Sequence, residues 1–150
     1  RFELAPGFIA FRIFLLGLIH ARLGDERALE FARRLDAIDG HPRAGAIQNL
    51  AAAVRAHWYR LQGDDTRSLA SFQELDLGRV TYQEAFASPF YSLPYERLQR
   101  GLIASRLGEL EAARRWLSSL SECSVYDDTL VPLARTALEE LPEAPPAVAG

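Results

Sequence analysis

A five-residue phrase occurs three times along the chain: Ala21-Arg-Leu-Gly-Asp25, Arg60-Leu-Gln-Gly-Asp64 and Ser105-Arg-Leu-Gly-Glu109. Each copy joins two segments whose apolar residues recur at helical spacing, as in Leu110, Ala113, Trp116, Leu117 and Leu120. The pattern reads as helix, tight turn, helix. Glycine at the turn (Gly24, Gly63, Gly108) suits the left-handed residue that ends a helix. The acid after it falls near the next helix's N-terminus, where the dipole favours negative charge. Seven residues before each turn glycine stands a very small residue, Gly17, Ala56 or Gly101. Glycine inside a helix costs about 1 kcal/mol against alanine, so two helices are expected to approach closely there.

Composition agrees with helix. Leucine and alanine supply 23 residues each of the 150, and β-branched residues are few, which leaves little room for an all-β fold. The periodicity predicts helices near 6–23, 25–38, 43–62, 65–76, 94–107, 109–121 and 128–141. Asp128 is expected to cap the last helix, with Pro132 in its first turn, where a missing N–H is tolerated. The length suits one domain over 1–141, followed by a proline-rich tail, 142–150, that is expected to be disordered. The chain has no methionine, which reads as a piece of a longer protein.

The alternation resembles tetratricopeptide (TPR) repeats, whose pattern runs W-x2-L-G-x2-Y, then A-x3-F, then P over about 34 residues. Leu16-Gly17 reproduces the L-G pair, and Tyr59 stands three after Ala56. Ser68 to Phe72 approximates A-x3-F, as does Ala113 to Leu117, while no repeat carries the opening Trp. The turn glycines lie 39 and 45 residues apart, which puts insertions near Asp39–Ala46 and Leu77–Leu93. The resemblance implies repeats near 8–38, 43–76 and 94–121 with a terminal helix at 128–141. These would be antiparallel hairpins stacked as a right-handed superhelix of about seven helices. The stretch from Ser88 to Leu98 (SPFYSLPYERL) also resembles one in helical-repeat regions at the C-terminal ends of large bacterial regulators, among them serine/threonine kinases and transcriptional activators.

Stacked repeats present a concave surface lined by their first helices. In TPR-like geometry the groove positions lie two, three, six, nine, ten and thirteen residues before each turn glycine. In the first repeat this face holds Phe11, Phe14, Leu15 and Leu18 beside Arg22, too apolar to be left in water. A preceding repeat or a second copy of the chain is expected to cover it. In the later repeats the face is mixed and includes His57, Arg60, Tyr95, Gln99 and Arg106. Arg22, Arg60 and Arg106 fall near the same end of successive first helices, which would make a basic strip for a carboxylate or free C-terminus. The competing reading is that they are solvated arginines near helix C-termini, in a chain whose only strong cation is Arg. His57, followed by Trp58 and Tyr59, invites a catalytic reading, but an aromatic trio on a helix reads as packing. The insertion 77–93, with Tyr82, Phe86, Phe90 and Tyr91, reads either as a packing plug or as a wall contacting a ligand.

Other functions lack a signature. Net charge is −3, with ten arginines against nine acids up to residue 75 and seven against eleven beyond, which is no nucleic-acid footprint. Phe8–Ile19 is the most apolar stretch but contains Arg12 and falls short of the ~20 residues of a membrane span. It also lacks the basic n-region of a secretory leader. One cysteine, Cys123, just past a predicted helix end, and three scattered histidines show no zinc spacing, so no metal or cofactor is expected. No phosphate-binding, nucleophile-elbow or zinc-protease motif occurs. Asp64-Asp65 and Asp127-Asp128 are expected to serve helix N-termini rather than catalysis. The sequence-level expectation is a cytoplasmic, non-catalytic binding module for a protein or peptide. The alternative is an effector-sensing or self-association segment governing an N-terminal kinase or DNA-binding portion.

Overall fold

The computed structural model describes residues 6–38, 44–75, 94–123 and 128–142, which form seven α-helices with no strand among them. These are α1 (Pro6–Arg22), α2 (Arg27–Asp36), α3 (Ala44–Leu61), α4 (Asp65–Gln73), α5 (Pro94–Arg106), α6 (Leu110–Cys123) and α7 (Leu130–Glu139). The all-α class and the number of helices agree with the sequence pattern. The 77–93 insertion, most of the 39–46 insertion and the tail beyond 142 lie outside the described residues.

The three turns share one hydrogen-bonded form. Gly24, Gly63 and Gly108 have φ of 67°, 76° and 79°, values at which any Cβ is strained. In each turn the acid's N–H donates to the carbonyl five residues back: Asp25 to His20 at 2.9 Å, Asp64 to Tyr59 at 3.0 Å and Glu109 to Ala104 at 2.8 Å. In each, the glycine N–H donates to the carbonyl three back, on Ala21, Arg60 or Ser105. This is the Schellman termination, in which backbone donors satisfy carbonyls the helix end leaves open.

The acids then start the next helix. Asp64 accepts from the Arg67 N–H at 2.9 Å. Asp25 accepts from the Arg27 N–H at 2.9 Å, acting one residue ahead of the geometric N-cap, Glu26, which makes no side-chain cap bond. The last helix departs from expectation: its N-cap is Thr129, without a side-chain cap bond, and Asp128 lies one residue outside. Pro132 does fall in the first turn. Helix α6 runs on through Cys123 rather than ending before it.

The chain divides into two compact units, Arg1–Glu84 and Ala85–Gly150, with the boundary inside the 77–93 insertion. In the first unit α1 packs on α2 and α3, α2 on α3, and α3 on α4. Its core is rich in alanine: Ala21, Ala28, Ala32, Ala51, Ala53 and Ala56 are buried around Phe14, Leu35, Val54 and Phe72. Small side chains bring the helix axes together, and each large one adds about 1.5–3 kcal/mol on burial. The close approaches predicted from spacing are present. A Cβ on Gly17 would stand 2.9 Å from Val54 Cγ2, and the buried Ser68 hydroxyl donates to the Ala56 carbonyl at 2.9 Å. In the second unit α5 packs on α6 and α7, and α6 on α7, around Leu98, Ile103, Leu117 and Leu120. Gly101 there faces Leu117 and the Ala113 carbonyl.

Candidate functional site

Arg22 closes α1 and Arg60 is the penultimate residue of α3. Their turns are neighbours in the first unit, because Gln62 Nε2 lies 3.9 Å from where a Cβ on Gly24 would be. Arg22 and Arg60 therefore belong to the same end of that unit. Arg22 is exposed; Arg60 is half-buried, and its Nε is enclosed without a hydrogen bond.

His57 is not on an open face. It is 3% exposed and meets Phe72 of α4 edge-on, with ring centroids 5.6 Å apart. Trp58 and Tyr59 pack edge to face at 5.1 Å, and Arg67 lies 5.7 Å over the Tyr59 ring. The aromatic trio thus takes part in packing, as three consecutive aromatic residues on a helix suggested, whereas the spacing that put His57 on the groove did not hold. In the second unit Tyr95 and Gln99 are half-buried on α5, and Arg106, at its end, is exposed.

The apolar face of α1 is rotated from the expected one. Phe14 is buried, Phe11 and Leu18 are half-buried, and Leu15 is exposed. The apolar side chains in water are Ile9, Leu15, Ile19 and, in the following turn, Leu23. Packing on α2 and α3 takes the Phe14 side of the helix and leaves this stripe outside.

Three charge arrangements escaped the sequence reading. Asp25 binds Arg27 at 2.5 Å and His20 Nδ1 at 3.1 Å, with the His20 ring stacked 5.2 Å from Phe31. Hydrogen bonds from the Arg27 side chain and backbone hold the Asp25 carboxyl well below the usual carboxylate range. Arg55 spans two helix ends, its Nη1 2.6 Å from Asp36 and its Nη2 2.6 Å from Glu74. Burial works against its charge, but the Glu74 and Asp36 carboxylates outweigh burial and raise its pKa. Arg100 lies 3.7 Å over the Trp116 ring, with Arg97 and Arg115 at 5.9 and 5.6 Å from the same ring. Burial, then Arg115 and Arg97, pull its pKa down to about 10. The signal for Arg55 was an acid near the end of each flanking helix; for Arg100 there was none beyond a cation one residue before the helix-contact glycine.

Open surface crevices are present among the described residues. One of about 570 Å³ is lined by Glu109, Leu110, Glu111, Ala112 and Arg115, and one of about 360 Å³ by Glu26, Leu29, Ala32, Arg33 and Arg55. Neither includes a residue of the predicted groove. Among the described residues no group of three His, Cys, Asp or Glu is placed to hold a metal ion, and no helix is long and apolar enough to cross a membrane. No family model matches this chain, and no curated protein or solved structure matches it.

Proposed function

We propose that the chain is a non-catalytic protein-interaction module. Its hairpins would stack as a TPR-like right-handed superhelix within a larger cytoplasmic bacterial regulator and bind a peptide carrying an acidic group. The observation that carries this reading is the threefold recurrence of one helix–Schellman turn–helix unit, because a recurring hairpin is the element from which stacked binding surfaces are built. The shared end of Arg22 and Arg60 supports a basic strip, which Arg106 would extend. His57 is a supporting core residue in this reading, and Tyr95 and Gln99 are wall residues.

The test is binding of a hexaglutamate peptide with a free C-terminus, measured by calorimetry. Arg60→Ala and Arg106→Ala should each weaken it by roughly 1.5–3 kcal/mol, the worth of a charged hydrogen bond, without lowering the melting temperature. Unchanged affinity in both variants overturns the strip.

One observation favours a second reading, self-association: the stripe Ile9, Leu15, Ile19 and Leu23 leaves four large apolar side chains of one helix and its turn in water. Sedimentation equilibrium tests it. Dimerisation that Ile19→Glu abolishes supports the reading, and a monomer across the concentration range rejects it.

A further inference from the structure

Arg55 and Arg100 occupy the same register, each eight residues before its turn glycine. Their surroundings differ in one respect. Arg55 places its two terminal nitrogens on two carboxylates, Asp36 at the end of α2 and Glu74 just after α4. Glu74 stands eleven residues after Gly63; eleven after Gly108 stands Ser119, whose hydroxyl donates to the Trp116 carbonyl at 2.7 Å and accepts from Arg97 at 3.1 Å. The second unit keeps the cation and has a serine at the position of Glu74.

The consequence is visible at Arg100. It is only 7% exposed, and its Nε and Nη1 are enclosed without a hydrogen-bond partner. Burial and the neighbouring Arg115 and Arg97 weigh against its charge more than Glu109 favours it; a buried guanidinium with unbonded nitrogens is unfavourable unless something supplies a partner. Its Cζ lies 3.7 Å from the Trp116 ring centroid, and a guanidinium carries in its plane a fork of N–H donors that can take an oxyanion. Arg115, exposed on α6, adds a second positive charge 5.6 Å from the centroid of the same indole.

We infer that Arg100, lying over Trp116 and flanked by Arg115, is a binding site for a carboxylate, which would supply the counter-charge that Asp36 and Glu74 supply to Arg55. The carboxylate comes either from a small dicarboxylic acid or from an acidic side chain of a bound peptide. The site lies wholly within α5 and α6 and does not depend on the basic strip of Arg22, Arg60 and Arg106.

Fluorescence titration tests it. In a Trp58→Phe background Trp116 is the only indole, so its emission reports on the guanidinium stacked upon it. Glutarate and triglutamate are titrated separately, with chloride at matched ionic strength as the control. A saturable emission change is expected with at least one of them, and Arg100→Met should weaken it roughly ten- to a hundredfold, as loss of charged hydrogen bonds requires. Arg33→Ala, on the exposed side of α2, should leave it unchanged. Saturation by glutarate assigns the small acid, and saturation by triglutamate alone assigns the peptide. No saturable change with either probe overturns the site, as does equal binding in the Arg100→Met protein. Loss of binding in Arg60→Ala instead of Arg100→Met overturns it in favour of the strip. As a readout independent of any variant, the Arg100 Nε–H resonance of the unmodified chain should shift during the productive titration; a stationary resonance counts against the site.

Discussion

Gly101 of α5 lies against Leu117 of α6 so closely that a Cβ on the glycine would stand 2.6 Å from the leucine Cγ and 2.7 Å from Cδ2. Leu117 is fully buried and cannot swing away. Gly101→Ala should therefore lower stability by about 1–3 kcal/mol through overpacking, even though alanine is the better helix former by about 1 kcal/mol. Urea unfolding measures this. An unchanged or higher midpoint would mean that the helices are farther apart.

The corresponding contact in the first unit is Gly17 with Val54, where a Cβ would meet the two valine methyls at 2.9 and 3.0 Å and Phe31 Cβ at 3.2 Å. Gly17→Ala and Val54→Ala should each destabilise. Together they should cost less than their sum by about 0.5–1.5 kcal/mol, because the smaller side chain makes room for the added methyl. Strict additivity in the double-mutant cycle would contradict the contact. Recovery is expected to be partial, since the Phe31 Cβ stays in place.

Asp25 links acid stability to the first turn. Its folded-state pKa lies below the unfolded value of about 3.9. The stabilisation is thus fully present above that value and is lost as pH falls through it toward the lower folded-state value. Asp25→Asn should lower stability at neutral pH, where the stabilisation is fully present, flatten the profile on the acid side, and converge on the parent as pH falls. High salt should shrink the difference, because the Asp25–Arg27 pair faces solvent. An identical acid profile for the variant and the parent would reject the role given to Arg27.

The two arginines of equal register should respond in opposite directions to the same substitution. Arg55→Met breaks two charged hydrogen bonds to partly exposed carboxylates and should cost about 1–2 kcal/mol. Arg100→Met removes a buried guanidinium whose Nε and Nη1 have no partner, and it keeps an apolar stem over Trp116. Its melting temperature should be unchanged or higher. A large loss at Arg100 would show that its stacking on Trp116 holds the second unit together.

Much of the fold was legible because its signals are local. The phrase containing Gly24, Gly63 and Gly108 announces a left-handed helix end in any context, since only glycine adopts that φ without strain. Gly17 and Gly101 were legible for a related reason: a costly residue in a helix interior implies a close neighbour. Helix limits came within a few residues, and the misplaced cap at Asp128 reflects two adjacent residues, Asp128 and Thr129, both able to serve.

The candidate site was less legible. Spacing alone placed His57 on an open groove, yet the packing of α4 on α3 sets its ring against Phe72. Spacing placed Phe14 on the exposed side of α1, whereas contact with α2 and α3 buries it and turns Leu15 and Ile19 outward. The sequence by itself determined where helices begin, turn and end, because capping, glycine conformation and periodicity act over fewer than about ten residues. Only the tertiary structure decided which arginine meets a carboxylate. Arg55 finds Asp36 and Glu74, each nineteen residues away along the chain, whereas Arg100 finds Trp116. Coulomb energies depend on distances in space and on burial, and those are set by how the helices pack.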